Sequence, residues 1–140
     1  MINFNYETSF ELGDEELYSR WVSSIIDTEF KVEGTINYIF CDDSYLLKIN
    51  EEYLKHDTFT DIISFDYSIG KELHGDIFIS VERVRENAVD YRVDFTEELN
   101  RVMAHGILHY CGYNDKNKED ELVMRLKEEE KMSMFHVKHN

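Results

Sequence analysis

The chain has 140 residues, 42% of them hydrophobic and 14% aromatic, and a formal net charge of −15 at pH 7. That is enough apolar content for one real core, and it excludes a disordered chain. The acidic balance argues against a general basic surface for nucleic acid and against anionic membranes, leaving a local cationic groove or a metal-centred site.

Residues 2–12 alternate around Ile2, Phe4 and Tyr6 and are expected to form the first strand. Gly13-Asp14 then makes a turn, with Asp14 as helix N-cap. Leu17, Tyr18, Trp21, Val22, Ile25 and Ile26 follow at helical spacing and predict a buried stripe. After Gly34, residues 35–41 are β-branched and aromatic and read as a strand. Asp42, Asp43 and Ser44 suit the capping of a short helix over 45–54, with Leu46, Leu47, Ile49 and Tyr53 on its apolar side. Capping explains these three better than a Ca²⁺ site.

Residues 55–59 read as a loop, 60–67 as a strand, 68–72 as a loop containing Gly70, and 75–80 as another strand. The last two strands are close enough in sequence to pair antiparallel. The first two are separated by a helix, which permits a parallel crossover. Ser80 caps a helix with Val81, Val84, Ala88 and Tyr91 on one face. Asp94 or Thr96 caps the next, which buries Leu99, Val102, Met103 and Tyr110. Residues 117–134 form a last charged helix, docked by Leu122, Val123 and Leu126, with its Lys-Glu-Glu-Glu-Lys run facing water. The order β-α-β-α-β-β-α-α-α predicts an α/β (α+β) fold: a mixed, largely four-stranded sheet packed with about five helices, in one domain over 1–140.

The N-terminal residues lack the basic and apolar regions of a signal peptide, and no apolar run approaches a membrane span. Cys41 and Cys111 have no metal-type spacing. A cytoplasmic protein with reduced thiols and no membrane partner is expected.

The chemistry concentrates in residues 105–115. His105 and His109 are one helical turn apart, so both imidazoles project from one face. Gly112 ends the helix, since glycine takes the left-handed C′ conformation without a Cβ penalty. The chain can then fold back and bring Asp115 beside the rings. Two imidazoles and a carboxylate are three ligands for a divalent transition metal, with a fourth position open, as in catalytic zinc sites. A histidine pair alone is more often a solvated helix face; the glycine stop and the acid beyond it shift the reading to metal. In His-Glu-x-x-His proteases the glutamate is the general base. Here Gly106 holds that position, so a protease is the weakest reading.

The run His105-Gly106-Ile107-Leu108-His109-Tyr110-Cys111-Gly112-Tyr113-Asn114-Asp115 resembles the signature of the YbeY family, the bacterial rRNA maturation factor and endoribonuclease. Thr60-Asp61-Ile62-Ile63-Ser64-Phe65 resembles that family's Thr-Asp-Val-Leu-Ser-Phe block, and Gly75-Asp76-Ile77 a third. The order and spacing of the three agree over roughly residues 45–130. Three positions depart. The family's third ligand is usually histidine, where Asp115 stands. An arginine proposed to act on RNA is replaced by Leu54, and a proline before the threonine by Phe59. The carboxylate should lower the charge of the metal site and make its water less acidic.

The resemblance implies a YbeY-like metal-dependent hydrolase domain. It implies a single-strand-specific endoribonuclease acting in 16S rRNA 3′-end maturation and ribosome quality control. Its partners would be rRNA, the precursor small subunit and a ribosomal or assembly-factor protein. Zn²⁺, one per chain, is expected on His105, His109 and Asp115, with Ni²⁺ or another divalent ion also fitting. Lys55, His56, Ser64 and Arg101 are the candidate RNA contacts. For Ser64 a backbone bond, and for Arg101 an ion pair with Glu97 or Glu98, are the plainer alternatives. His136 and His139 in the tail are weaker ligand candidates. The net charge of −15 predicts weak affinity for naked RNA without a partner or Mg²⁺. The alternatives are a ribosome-assembly binding protein with a mainly structural metal, and another small-substrate metal hydrolase.

Overall fold

The computed structural model describes residues 1–55 and 59–137, the last two by backbone alone. Its elements are β1 (Ile2–Tyr6), α1 (Glu15–Thr28), β2 (Val32–Cys41), α2 (Asp43–Leu54), β3 (Ile62–Asp66), β4 (Glu72–Ser80), α3 (Val81–Tyr91), α4 (Phe95–Tyr110) and α5 (Lys118–Val137). The expected mixed sheet and five helices are both present. β1 stops at Tyr6, well short of residue 12. β4 begins at Glu72, before Gly75, because Glu72 already pairs with Val32 of β2.

The strand order is β1-β2-β4-β3. β1 and β4 both run parallel to β2, and β3 returns antiparallel along β4, with Ser64 opposite Ile77. The period-two alternation of side chains sorts the residues. Ile36, Tyr38, Phe40, Ile77 and Ile79 point into the main core with α1 and α4. Cys41 and Ile63 point the other way, under Leu46 of α2. The six apolar residues of α1 picked out by their spacing are all buried. Asp14, Asp42 and Ser80 each accept a first-turn backbone N–H, as capping requires. Asp94 occupies the N-cap position of α4 without a side-chain cap bond.

α4 packs against the sheet and its neighbouring helices. Its buried residues include Leu99, Val102, Met103, Ile107, Leu108 and Tyr110. Two tyrosines fix it over the sheet. Tyr38 donates to the Met103 carbonyl at 2.9 Å, and Tyr110 donates to the Phe65 carbonyl at 2.8 Å. Gly106 lets the two layers close up: a Cβ there would meet Ile62 Cδ1 at 3.1 Å and Ile77 Cδ1 at 3.2 Å. The position that holds a base in the proteases therefore faces the sheet, which is the physical reason no glutamate fits.

α5 corrects the sequence reading. Leu122 and Leu126 are each 66% exposed, and Val123 is exposed too. The docking face is instead Met124, Glu128, Lys131 and Phe135, spaced four, three and four residues apart and all buried. The charged run therefore does not simply face water. Lys131 Nζ lies 2.7 Å from Glu29 and 2.8 Å from Glu130, which compensates its burial. Tyr53 and Tyr91, expected on apolar faces, are exposed. Both cysteines are free thiols, and no helix of the described residues is long and apolar enough to cross a membrane.

Candidate metal centre

α4 ends in a Schellman motif. The Gly112 N–H bonds the His109 carbonyl at 3.0 Å, and the Tyr113 N–H bonds the Leu108 carbonyl at 3.1 Å. Gly112 holds φ at 108°, a conformation costly for a residue with a Cβ. The chain reverses there, and Tyr113 anchors the reversal by donating to Glu29 at 2.7 Å. Asp115 is returned to the helix face that carries the two histidines.

Three atoms converge as a result. His105 Nε2 and His109 Nε2 are 3.0 Å apart. Asp115 Oδ2 is 3.4 Å from the first and 3.5 Å from the second. Donors about 2.0–2.1 Å from a tetrahedral zinc ion lie about 3.3–3.4 Å from one another. The triangle thus has the right size for one such ion, and the two imidazoles and carboxylate could hold it.

The orientation of His105 has a cause that sequence reading missed. Glu128, reaching in from α5, lies 2.7 Å from His105 Nδ1. A proton on Nδ1 is thereby favoured, which leaves the Nε2 lone pair aimed at the other two donors. Glu128 also accepts from Arg101 Nη1 at 3.1 Å, and Arg101 Nε lies 3.9 Å from Glu98. The signal was present in the sequence: Glu128 falls on the same stripe as Met124 and Phe135. It was masked by the acids and lysines around it.

Electrostatics at the centre follow from the surrounding acids. Burial works against a charged His105, but the bond to Glu128 and the charges of Glu128, Asp115 and Asp61 outweigh it and raise the pKa. Asp61 is pushed up from the ordinary carboxylate range by burial, only partly opposed by the His105 charge. Asp61, Glu98, Arg101, His105, Asp115 and Arg125 share a cleft of about 270 Å³.

The other sequence candidates fall as follows. Arg101 lines that cleft, but its guanidinium is engaged by Glu128 and Glu98, close to the ion-pair reading. Ser64 lies on β3, where its side chain meets the Tyr110 hydroxyl. Lys55 closes α2 in a left-handed conformation, exposed to solvent. His56, His139 and the side chain of His136 lie outside the described residues.

The family model for endoribonuclease YbeY matches residues 2–136. The endoribonuclease YbeY of Flavobacterium psychrophilum is 66% identical over 140 residues, covering 100% of both chains. That of Flavobacterium johnsoniae is 65% identical over 137 residues, covering 98% of this chain and 99% of its own. A Porphyromonas gingivalis protein of the same name is 45% identical over 135 residues, covering 96% of this chain and 89% of its own. Among solved structures, the solution structure of a Thermotoga maritima protein superposes with a TM-score of 0.67. It is 26% identical and covers 99% of this chain and 93% of its own.

Proposed function

The chain belongs to the YbeY endoribonuclease family, and within it we propose a metal-dependent nuclease that cuts single-stranded RNA in 16S rRNA 3′-end maturation and ribosome quality control. One hydrolase domain over residues 1–140, working in the cytoplasm on the precursor small subunit with a ribosomal or assembly-factor partner, fits this reading. The observation that carries it is the convergence of His105, His109 and Asp115 within 3.0–3.5 Å of one another. Zinc suits this donor set best, and nickel, copper or iron also match its chemistry.

His105, His109 and Asp115 would hold a divalent ion, which when bound would supply Lewis acidity toward water and a phosphodiester oxygen. The residues do the rest. Glu128 keeps the His105 proton on Nδ1 and the ring fixed. Arg101 holds Glu128 in place and is itself largely neutralised. Asp61, whose pKa burial raises above that of a solvated carboxyl, lines the same cleft as His105 and Asp115. Gly106 keeps α4 close to the sheet, so the histidine face stands beside the N-terminal end of β3.

A second reading has specific support. The net charge of −15 and the leucine at position 54 suit a ribosome-assembly binding protein whose metal chiefly pins the end of α4. Cleavage of a defined rRNA precursor by metal-loaded protein separates the two. The nuclease reading expects cleavage that His109→Ala abolishes with the fold intact. Equal cleavage by the variant, or none by the wild type, favours the binding protein.

A further inference from the structure

Several cations of this acidic chain are already engaged. Arg20 pairs with Glu16, Arg83 with Asp43 and Glu86, Arg101 with Glu128 and Glu98, and Lys127 and Lys131 with Glu29 and Glu130. Arg125 differs. It is exposed, makes no ion pair among the described residues, and lines both cavities that open beside His105 and Asp115. The larger cavity, about 530 Å³, is also lined by Lys118, likewise without an ion pair. Lys118 and Arg125 are seven residues, two turns, apart and so share a face of α5. Glu121 lies one turn from each and bonds neither.

The smaller cavity adds an aromatic wall. Tyr91, at the end of α3, lines it while 61% exposed. Its ring has no core role. An aromatic face and a guanidinium whose charge reaches Glu98 but which makes no ion pair among the described residues, on one cleft of about 270 Å³, match how single strands are held: bases stack, phosphates pair.

We propose that Arg125 and Tyr91 form a nucleotide subsite beside the metal centre, Arg125 taking a phosphate of single-stranded RNA and Tyr91 stacking on a base. The inference rests on the RNA-cleaving reading and adds the residues that seat the strand. Lys118 extends the cationic face toward the next phosphate.

The test is fluorescence anisotropy with zinc-reconstituted protein and a labelled 2′-O-methyl oligoribonucleotide, which resists cleavage, between 50 and 200 mM salt. One lost phosphate contact on a single strand reduces the slope of log K against log salt by about 0.7. Arg125→Gln should show that reduction with weaker binding, and Arg125→Lys should restore most of the slope. Tyr91→Ala should weaken binding about tenfold with the slope unchanged, since stacking releases no counterions. Arg20→Gln changes net charge equally on another helix and should leave the slope alone. Wild-type binding with an Arg125→Gln slope equal to that of Arg20→Gln overturns the phosphate role and spares the nuclease reading. Unchanged affinity in Tyr91→Ala overturns the stacking role. No binding by the wild type even with Mg²⁺ present overturns this subsite, and cleavage of the rRNA precursor by the same protein then decides the nuclease reading separately.

Discussion

Replacing Glu128 by glutamine keeps its shape and removes its charge. The carboxylate now accepts from two donors, His105 Nδ1 at 2.7 Å and Arg101 Nη1 at 3.1 Å. A glutamine side chain has one acceptor oxygen and one NH₂, so it must present a donor to one of them. If the amide faces His105, the ring proton is driven to Nε2, into the position required for a metal bond. If it faces Arg101, a guanidinium whose side chain is only 17% exposed keeps just the 3.9 Å contact with Glu98. Loss of an outer partner of this kind lowers metal affinity about tenfold to a hundredfold, or about 1.4–2.8 kcal/mol. Zinc affinity is measured by competition with a chromophoric chelator. The His105 tautomer is read from imidazole ¹⁵N shifts of the metal-free protein. Expected are the weaker affinity and a larger share of the Nε2-protonated ring. An affinity within twofold of wild type and an unchanged tautomer would refute the argument.

Lys131→Met should destabilise the fold by about 3 kcal/mol, at the lower end for breaking a buried pair because Glu29 keeps Lys127 and Tyr113; urea unfolding of metal-free protein measures it, and a change under 1 kcal/mol would count against the buried pair. Glu29 gives the pH dependence. Burial acts to raise its pKa, but bonds from Lys131, Tyr113 and Lys127 outweigh that and lower it below 4.5. A folded-state pKa below the unfolded one gives stability that is complete above the unfolded value and is lost as pH falls through the folded one. The stability gap between wild type and Glu29→Gln should therefore hold from pH 7 to about 5 and close as pH falls below about 4.5; a gap constant to pH 3 would contradict the assignment.

The clustering of His105, His109 and Asp115 was legible in the sequence because it is local. His105 and His109 share one turn, Gly112 stops that turn, and Asp115 follows by three residues. The sheet was legible because its strands announce themselves by alternation, and all three helix caps at Asp14, Asp42 and Ser80 sit where capping chemistry puts them. α5 was not legible in the same way. Hydrophobicity pointed to Leu122 and Leu126, whereas packing chose Met124 and Phe135 and buried two charges between them. A buried Glu128 or Lys131 is tolerable only because Arg101, His105 and Glu29 wait on other helices, and such partners are invisible in a linear reading. Tyr91 failed for the opposite reason: at the last turn of α3 an aromatic ring at core spacing overhangs a cleft instead of entering the core.

The most direct test of the metal centre is elemental analysis of purified protein, wild type beside Asp115→Ala, each checked for folding by circular dichroism. Close to one zinc or other divalent transition ion per chain is expected in the wild type and a marked loss in the variant, with both folded. Equal metal in the two would mean that Asp115 is not a ligand. No metal in a folded wild type, even after reconstitution, would contradict the account at its centre.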